Sequence, residues 1–316
     1  MKIAPVLLSV YNRPVHFKKC IESLKENKLA SETHLFVAID APYRKEDEIA
    51  NKQVVDYAKT ISGFKEITLF IREKNLGIVL NDSLAMADVF GQYSSLIRSE
   101  DDNIFSKDFL YFTNKGLEVF NDRDDIFSIC AYNFPIEKTL TGNEGDFYVN
   151  HFFSGWGFGV WKNKWEEIDW SKEIVLQKTR DFLKDYKSVC RYNKTANNLI
   201  LNLIYMIKKN TVYGDSYISL YQYLNKKNSV FPFVSRVKNL GHDGSGTHCR
   251  NKEKNDIYDK QDIYEGVSGY EFPSDIKKNE FIVKSLQMYF RRSIIKNIYT
   301  LILLILVNIG LIYRKK

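Results

Sequence analysis

The chain has 316 residues, 44% hydrophobic and 27% charged; it can bury a full core as one large domain or two smaller ones, which excludes an intrinsically disordered protein. Its four cysteines, Cys20, Cys130, Cys190 and Cys249, stand far apart without Cys-x-x-Cys spacing, excluding a zinc ribbon and a disulfide framework and fitting a reducing cytosol. The net charge of +7 suits an anionic partner, but the lysines are dispersed and no compact basic and aromatic module occurs, so no nucleic acid is expected among the partners.

The first ten residues hold a short apolar run that reads directly into Tyr11-Asn12-Arg13-Pro14 with no small-residue cleavage site. That pattern is a first core strand, Val6 to Val10, rather than a signal peptide. Val15 to Leu29 then reads as a helix, with Phe17, Cys20, Ile21 and Leu24 at helical spacing. Leu35 to Ile39 is a second strand ending at Asp40, and Ile49 to Ile61 a second helix. Ile67 to Ile71 forms a third strand, and Val79 to Phe90 a helix entered after Asn75-Leu76-Gly77. Tyr93 to Ile97 is strand-like and leads to the acidic triplet Glu100-Asp101-Asp102. Strands alternating with helices predict an α/β fold with a mainly parallel sheet, whose ligands bind beyond the strand carboxyl ends. Tyr11, Asn12, Arg13, Asp40, Asn75 and the triplet all fall at such ends. Three adjacent carboxylates repel one another, and a fold that packs them at a strand end offsets this with a divalent cation; a solvated turn is the alternative.

Further along, the run from Phe152 to Trp161 places Gly155 and Trp156 among aromatics, and Trp161 and Trp165 are spaced four apart as core residues of a helix. Asp215 precedes a predicted helix from Tyr217 to Leu224, where it either caps the helix or does chemistry. Gly241-His242-Asp243-Gly244-Ser245-Gly246-Thr247-His248 is a glycine-rich turn with two histidines, whereas His16, His34 and His151 show no partner spacing. Ile298 to Tyr313 is uncharged and apolar, with Arg291, Arg292 and Lys296 before it and Arg314, Lys315 and Lys316 after. At the short limit of the ~17–25 residues a spanning helix needs, it predicts a membrane-bound tail that either spans or lies in one leaflet; a packed helix or an oligomer contact competes.

The ordered set Leu7 to Pro14, Val37-Ala38-Ile39-Asp40, Asn75-Leu76-Gly77 and Glu100-Asp101-Asp102 with Asp108-Phe109 resembles GT-A glycosyltransferases. It is most similar to the N-acetylglucosaminyltransferase I family and its bacterial family 2-like relatives. The similarity continues through Ile129 to Asn133, Gly155-Trp156-Gly157, Asp215 and Val234 to Gly246, covering roughly residues 3 to 250. The strand before the triplet departs from that pattern, since Arg98-Ser99 interrupts an otherwise apolar run.

The resemblance implies a GT-A, Rossmann-like sheet flanked by helices. It further implies a nucleotide-sugar donor carrying UDP, a glycan or lipid-linked glycan acceptor, and a Mn²⁺ or Mg²⁺ ion that neutralises the diphosphate. By the same resemblance Asp102 binds the metal, Glu100 and Asp101 orient the donor or metal waters, Asp40 and Arg13 contact the base region, and Asn75 sits with them. Asp40 could instead cap its loop, and Arg13 pair with a local carboxylate. Asp215 matches the base of an inverting displacement, with Asp146 in reserve. His248, or else His242, is a candidate late metal ligand. Sugars stack apolar C–H faces on aromatics, which makes Trp156 a platform and Gly155 a point of close backbone approach.

The expected organisation is a glycosyltransferase domain over residues 1–290, with a nucleotide-sugar half to about 110, an acceptor half to about 250 and an extension to 290. A membrane-associated tail over 291–316 would hold it at the cytoplasmic face of the cell membrane, in polysaccharide synthesis. Competing functions are a tethered glycan-binding module with an inactive transferase fold, and a sugar-phosphate nucleotidyltransferase, which would be expected to carry an N-terminal glycine-rich phosphate loop that this chain lacks.

Overall fold

A computed structural model describes residues 1–136, 147–195, 199–244, 261–266, 272–273, 276 and 280–311. Asp146, Cys249 and His248 lie outside the described residues, as does most of the glycine-rich turn after Gly244.

The first half runs β1 (Val6–Val10), α1 (Pro14–Lys25), β2 (His34–Ile39), α2 (Glu48–Ala58), β3 (Glu66–Ile71), α3 (Ile78–Phe90), β4 (Ser95–Glu100), β5 (Asn103–Phe105) and α4 (Phe109–Val119). There follow β6 (Ile126–Cys130), β7 (Phe147–Asn150), β8 (Phe158–Trp161), α5 (Lys162–Trp165), α6 (Lys172–Lys184), α7 (Tyr186–Asn193) and α8 (Leu199–Lys209). The chain closes with α9 (Gly214–Leu224), β9 (Asn228–Pro232), β10 (Val237–Asn239), α10 (Glu280–Tyr289) and α11 (Ile294–Asn308).

Eight strands form one sheet in the order β3-β2-β1-β4-β8-β6-β9-β7. The β3-β2-β1-β4 half is parallel throughout, whereas β8 runs antiparallel to both β4 and β6. Strand order reverses beside β1, and a crevice for ligands opens at such a switch point beyond the strand carboxyl ends. Side chains alternate between faces with period two. Leu7, Phe36, Ala38 and Leu96 therefore enter one core, and Val6, Leu8, Val10, Leu35, Val37, Ile39 and Ile97 the other. Burial on both faces is why β1 and β2 read as unbroken apolar runs.

Several expectations shift: the second helix ends at Ala58 rather than Ile61, and the helix expected from Tyr217 begins at Gly214, so that it includes Asp215. The first helix ends at Lys25 rather than Leu29, because the Asn27 side chain donates to the Ser23 carbonyl and accepts from the Leu110 amide, turning the chain toward α4. β4 extends through Arg98 to Glu100 rather than stopping at Ile97. Trp161 ends a strand rather than sharing a helix with Trp165, though both join the apolar packing.

The spanning form of the tail is corrected. Among the described residues no helix is long and apolar enough to cross a membrane. α11 has 15 residues, which at 1.5 Å per residue reach about 22 Å against the ~30 Å of a hydrocarbon core. One side of it, through Leu303, Leu304 and Val307, is buried against α6 and α8. The Asn308 amide group donates to the Leu183 carbonyl at 2.9 Å and to the Tyr186 hydroxyl at 3.2 Å.

Candidate active site

The triplet follows directly from the end of β4. Glu100 is its last residue, and Asp101 and Asp102 form the turn into β5. Asp102 is 7% exposed. Its Oδ2 lies 2.8 Å from Arg13 Nη1, and Asp101 receives the other arm of the same guanidinium. Arg13 sits at the start of α1, immediately beyond the carboxyl end of β1, so strand order places it beside the triplet.

β5 pairs antiparallel with β10, which brings a distant stretch of sequence to the same point. Asn239 Nδ2 donates to Asp102 Oδ1 at 2.7 Å, the Leu240 amide donates to the Asp102 carbonyl at 2.8 Å, and the Gly241 amide donates to Asn239 Oδ1 at 2.8 Å. A Cβ on Gly241 would stand 2.2 Å from Asp102 Oδ2, so only glycine fits there. His16 Nε2 is 3.2 Å from Asp243 Oδ2, tying this loop to α1. Buried Arg236 pairs with Asp108 at 3.3 Å and anchors the ribbon from below.

Arg98, the residue that breaks the apolar strand, joins the acidic groups to the rest of the cleft. It is buried; its Nε lies 3.1 Å from Asp82 of α3 and its Nη1 3.0 Å from Glu100. Nη1 also donates to the Gly155 carbonyl at 3.4 Å, while the Gly155 amide donates to Asp215 Oδ2 at 3.0 Å. Ser9 completes the network by donating to Asp82 at 2.5 Å. Glu100, Arg98, Gly155 and Asp215 thus form one connected chain.

Asp215 lies in the first turn of α9, whose N-cap is Tyr213 with no side-chain cap. Its side chain does not cap the helix; Oδ2 takes the Gly155 amide, and Oδ1 carries no hydrogen bond among the described residues. A Cβ on Gly155 would meet Oδ1 at 3.0 Å, so the glycine keeps that oxygen accessible. Trp156, partly buried, packs edge-on against Tyr132 at 4.7 Å and His242 at 5.6 Å between ring centroids.

Asp40 is buried and spends both oxygens locally, on the amides of Ala41, Leu76 and Gly77 and on Asn75 Nδ2. Asn75 also donates to the Ala41 carbonyl at 2.6 Å. Together they fix the turn that starts α3, where Gly77 has φ +75°. Asp82, Ser9, Arg98 and Asn239 join the site through contacts distant in sequence. Only Arg98 carried a signal of its own, a charge within a core strand.

The electrostatics follow from crowding. Desolvation pushes Glu100 up to about 7, against the pull of Arg98 and with a further push from Asp102 and Asp215. Desolvation likewise raises Asp101 to about 6, with Arg13 opposing and Asp102 adding to the rise. Asp215 is raised too, by desolvation first, eased by the Gly155 amide and Arg98. Folded pKa values above the ordinary ~4 mean that the native state holds protons the unfolded chain has released. This stability is full below the unfolded pKa and is lost as pH rises through about 6 for Asp101 and about 7 for Glu100. The metal-free protein is therefore expected to melt lower at about pH 8 than at about pH 5, as read by circular dichroism. A melting temperature that rises over that interval contradicts the assignment.

Five carboxylates, from Asp82, Glu100, Asp101, Asp102 and Asp215, face two guanidiniums, from Arg13 and Arg98. This excess of hard oxygen donors fits a divalent cation. Among the described residues no three His, Cys, Asp or Glu side chains are disposed to chelate one, so the protein's share would be small, and Asp102, whose Oδ1 takes Asn239 and whose Oδ2 takes Arg13, is the carboxylate that would hold it.

No protein-family model matches the chain, and no curated protein matches it. Among solved structures it is similar to TarS of S. aureus, at 11% identity and a TM-score of 0.41, over 77% of this chain and 61% of the TarS 1-349 chain. A longer TarS structure overlaps with 46% of this chain and only 25% of its own length, at 11% identity and a TM-score of 0.33. The galactosyltransferase LgtC, in complex with donor and acceptor sugar analogues, overlaps with 69% of this chain and 70% of its own at 12% identity and a TM-score of 0.36.

Proposed function

We propose that the chain is a metal-dependent, inverting glycosyltransferase that moves a sugar from a UDP-sugar to a glycan acceptor. The observation that supports this reading most is convergence. The carboxyl ends of β1 and β4, the start of α9 and the loop after β10 meet in one acidic cluster at the switch point of the sheet. When bound, a Mn²⁺ or Mg²⁺ ion supplies Lewis-acid neutralisation of the diphosphate leaving group; Asp102 would hold it, with His248, or else His242, as the candidate further ligand. Asp215 takes the proton of the acceptor hydroxyl at its free Oδ1, and its raised pKa makes it a better base than an ordinary aspartate. Gly155 and Arg98 hold that carboxylate in place relative to Glu100, and Trp156 offers an apolar platform for a sugar face. Incubation with a panel of nucleotide sugars and Mn²⁺ tests the reading. Release of nucleoside diphosphate, faster with acceptor glycan, is the expected result. Pyrophosphate chemistry would instead indicate a nucleotidyltransferase, and silence across the panel a glycan-binding module.

The acceptor fits a lipid-linked glycan at the cytoplasmic face of the cell membrane, in cell-surface polysaccharide synthesis, because α11 is docked on one side and bare on the other. Ile294 is 77% exposed, Ile295 80% and Ile298 52%, with Leu301, Ile302 and Ile305 continuing the face. Arg291 and Lys296 are exposed beside it, which suits anionic headgroups. The helix lies in one leaflet while its buried side stays on the domain. Flotation with vesicles containing anionic lipid should carry the protein, and Ile295→Glu with Ile302→Glu should leave it at the bottom of the gradient.

A further inference from the structure

We propose that Arg13 is the resident counter-ion of the acidic turn, and that a divalent ion must displace its guanidinium from Asp102 to bind. This rests on the metal reading above and adds a gate to it.

Both oxygens of Asp102 are engaged, Oδ1 by Asn239 at 2.7 Å and Oδ2 by Arg13 at 2.8 Å. The Gly241 side of Oδ2 is closed by backbone, since even a Cβ there would lie 2.2 Å away. An incoming ion therefore approaches where Arg13 now stands. A cation bound at ~2.0–2.6 Å from that oxygen and a guanidinium on the same atom repel each other strongly. Asn239 has no charge and can stay. The Arg13 side chain is 20% exposed and that of Asp102 9%, so the arginine is the member of the pair that can move outward. It remains tethered to Asp101, and it presents a planar donor fork to an anionic phosphate arriving with the ion. The pair thus balances the site when it is empty and makes metal binding alone weaker than metal binding with a diphosphate.

Calorimetry with Mn²⁺ alone, and with Mn²⁺ plus UDP, tests this on wild type, Arg13→Gln and Arg13→Lys. Removing the charge is expected to tighten binding of Mn²⁺ alone by roughly ten-fold, the scale of one nearby like charge removed, while Arg13→Lys, which keeps the charge but not the fork, binds Mn²⁺ alone more weakly than Arg13→Gln. Unchanged or weaker Mn²⁺ binding by a folded Arg13→Gln protein overturns the gate. A second readout needs no substitution: Mn²⁺ should speed phenylglyoxal modification of Arg13 in the wild-type protein, followed by mass spectrometry, and an unchanged rate overturns the proposal. If wild type takes up Mn²⁺ with UDP but fails these tests, only the gate falls. If no protein takes up Mn²⁺ under any condition, the metal reading falls and the gate with it.

Discussion

Asp215→Asn is expected to lower sugar transfer by about 10²–10⁴-fold, the usual worth of a positioned general base, while leaving UDP-sugar binding intact. Asparagine is isosteric, and its carbonyl oxygen can still accept the Gly155 amide that now reaches Oδ2 at 3.0 Å. What disappears is the ability to take a proton at Oδ1. In the wild type the rate should rise with pH as Asp215 ionises, at a pH above the ordinary aspartate range because the cleft desolvates it. That limb should vanish from the residual activity of the variant. Steady-state kinetics over a pH series, with donor affinity measured separately, read both effects. Full activity in Asp215→Asn would falsify the base assignment, whatever the fate of the metal.

Asp102→Ala is expected to remove metal-dependent nucleotide uptake, by about 100-fold in calorimetry with UDP and Mn²⁺, because on the proposed reading it deletes the carboxylate that would hold the ion. The loss should appear in binding as well as in rate, which separates it from the Asp215 variant. Melting temperature provides the control. Arg13 keeps Asp101 as a partner, so no buried charge is left alone and a collapse of stability is not expected. Equal nucleotide uptake with and without Mn²⁺ in the wild type would remove the metal from the reading altogether.

Local chemistry announced the parallel half of the sheet. β1, β2, β3 and α3 fall within a residue of their expected bounds because apolar runs buried on both faces, and the turn signal at Asn75-Leu76-Gly77, are short-range signals. The triplet, Asp215 and the glycine-rich turn could also be singled out, since each carries an unusual residue type at an element end. The fate of each carboxylate was not legible, because it depends on partners far away in sequence. Asp40 has its oxygens filled by a turn 36 residues on, whereas Asp215 is left with one oxygen open by a glycine 60 residues back. The apolar stretch at the end of the chain likewise predicted a membrane tail. Its docking on α6 and α8 depends on surfaces that only the assembled fold creates.

The amino-acid order by itself determined an α/β core with acidic groups at the strand ends, because periodicity and turn chemistry act over a few residues. The tertiary structure alone decided that Arg13 and Asn239 close on Asp102 and that Arg98 links Glu100 to the Asp215 side of the cleft. Those contacts span tens to more than a hundred residues, and strand order, not local sequence, sets which side chains a buried charge will meet.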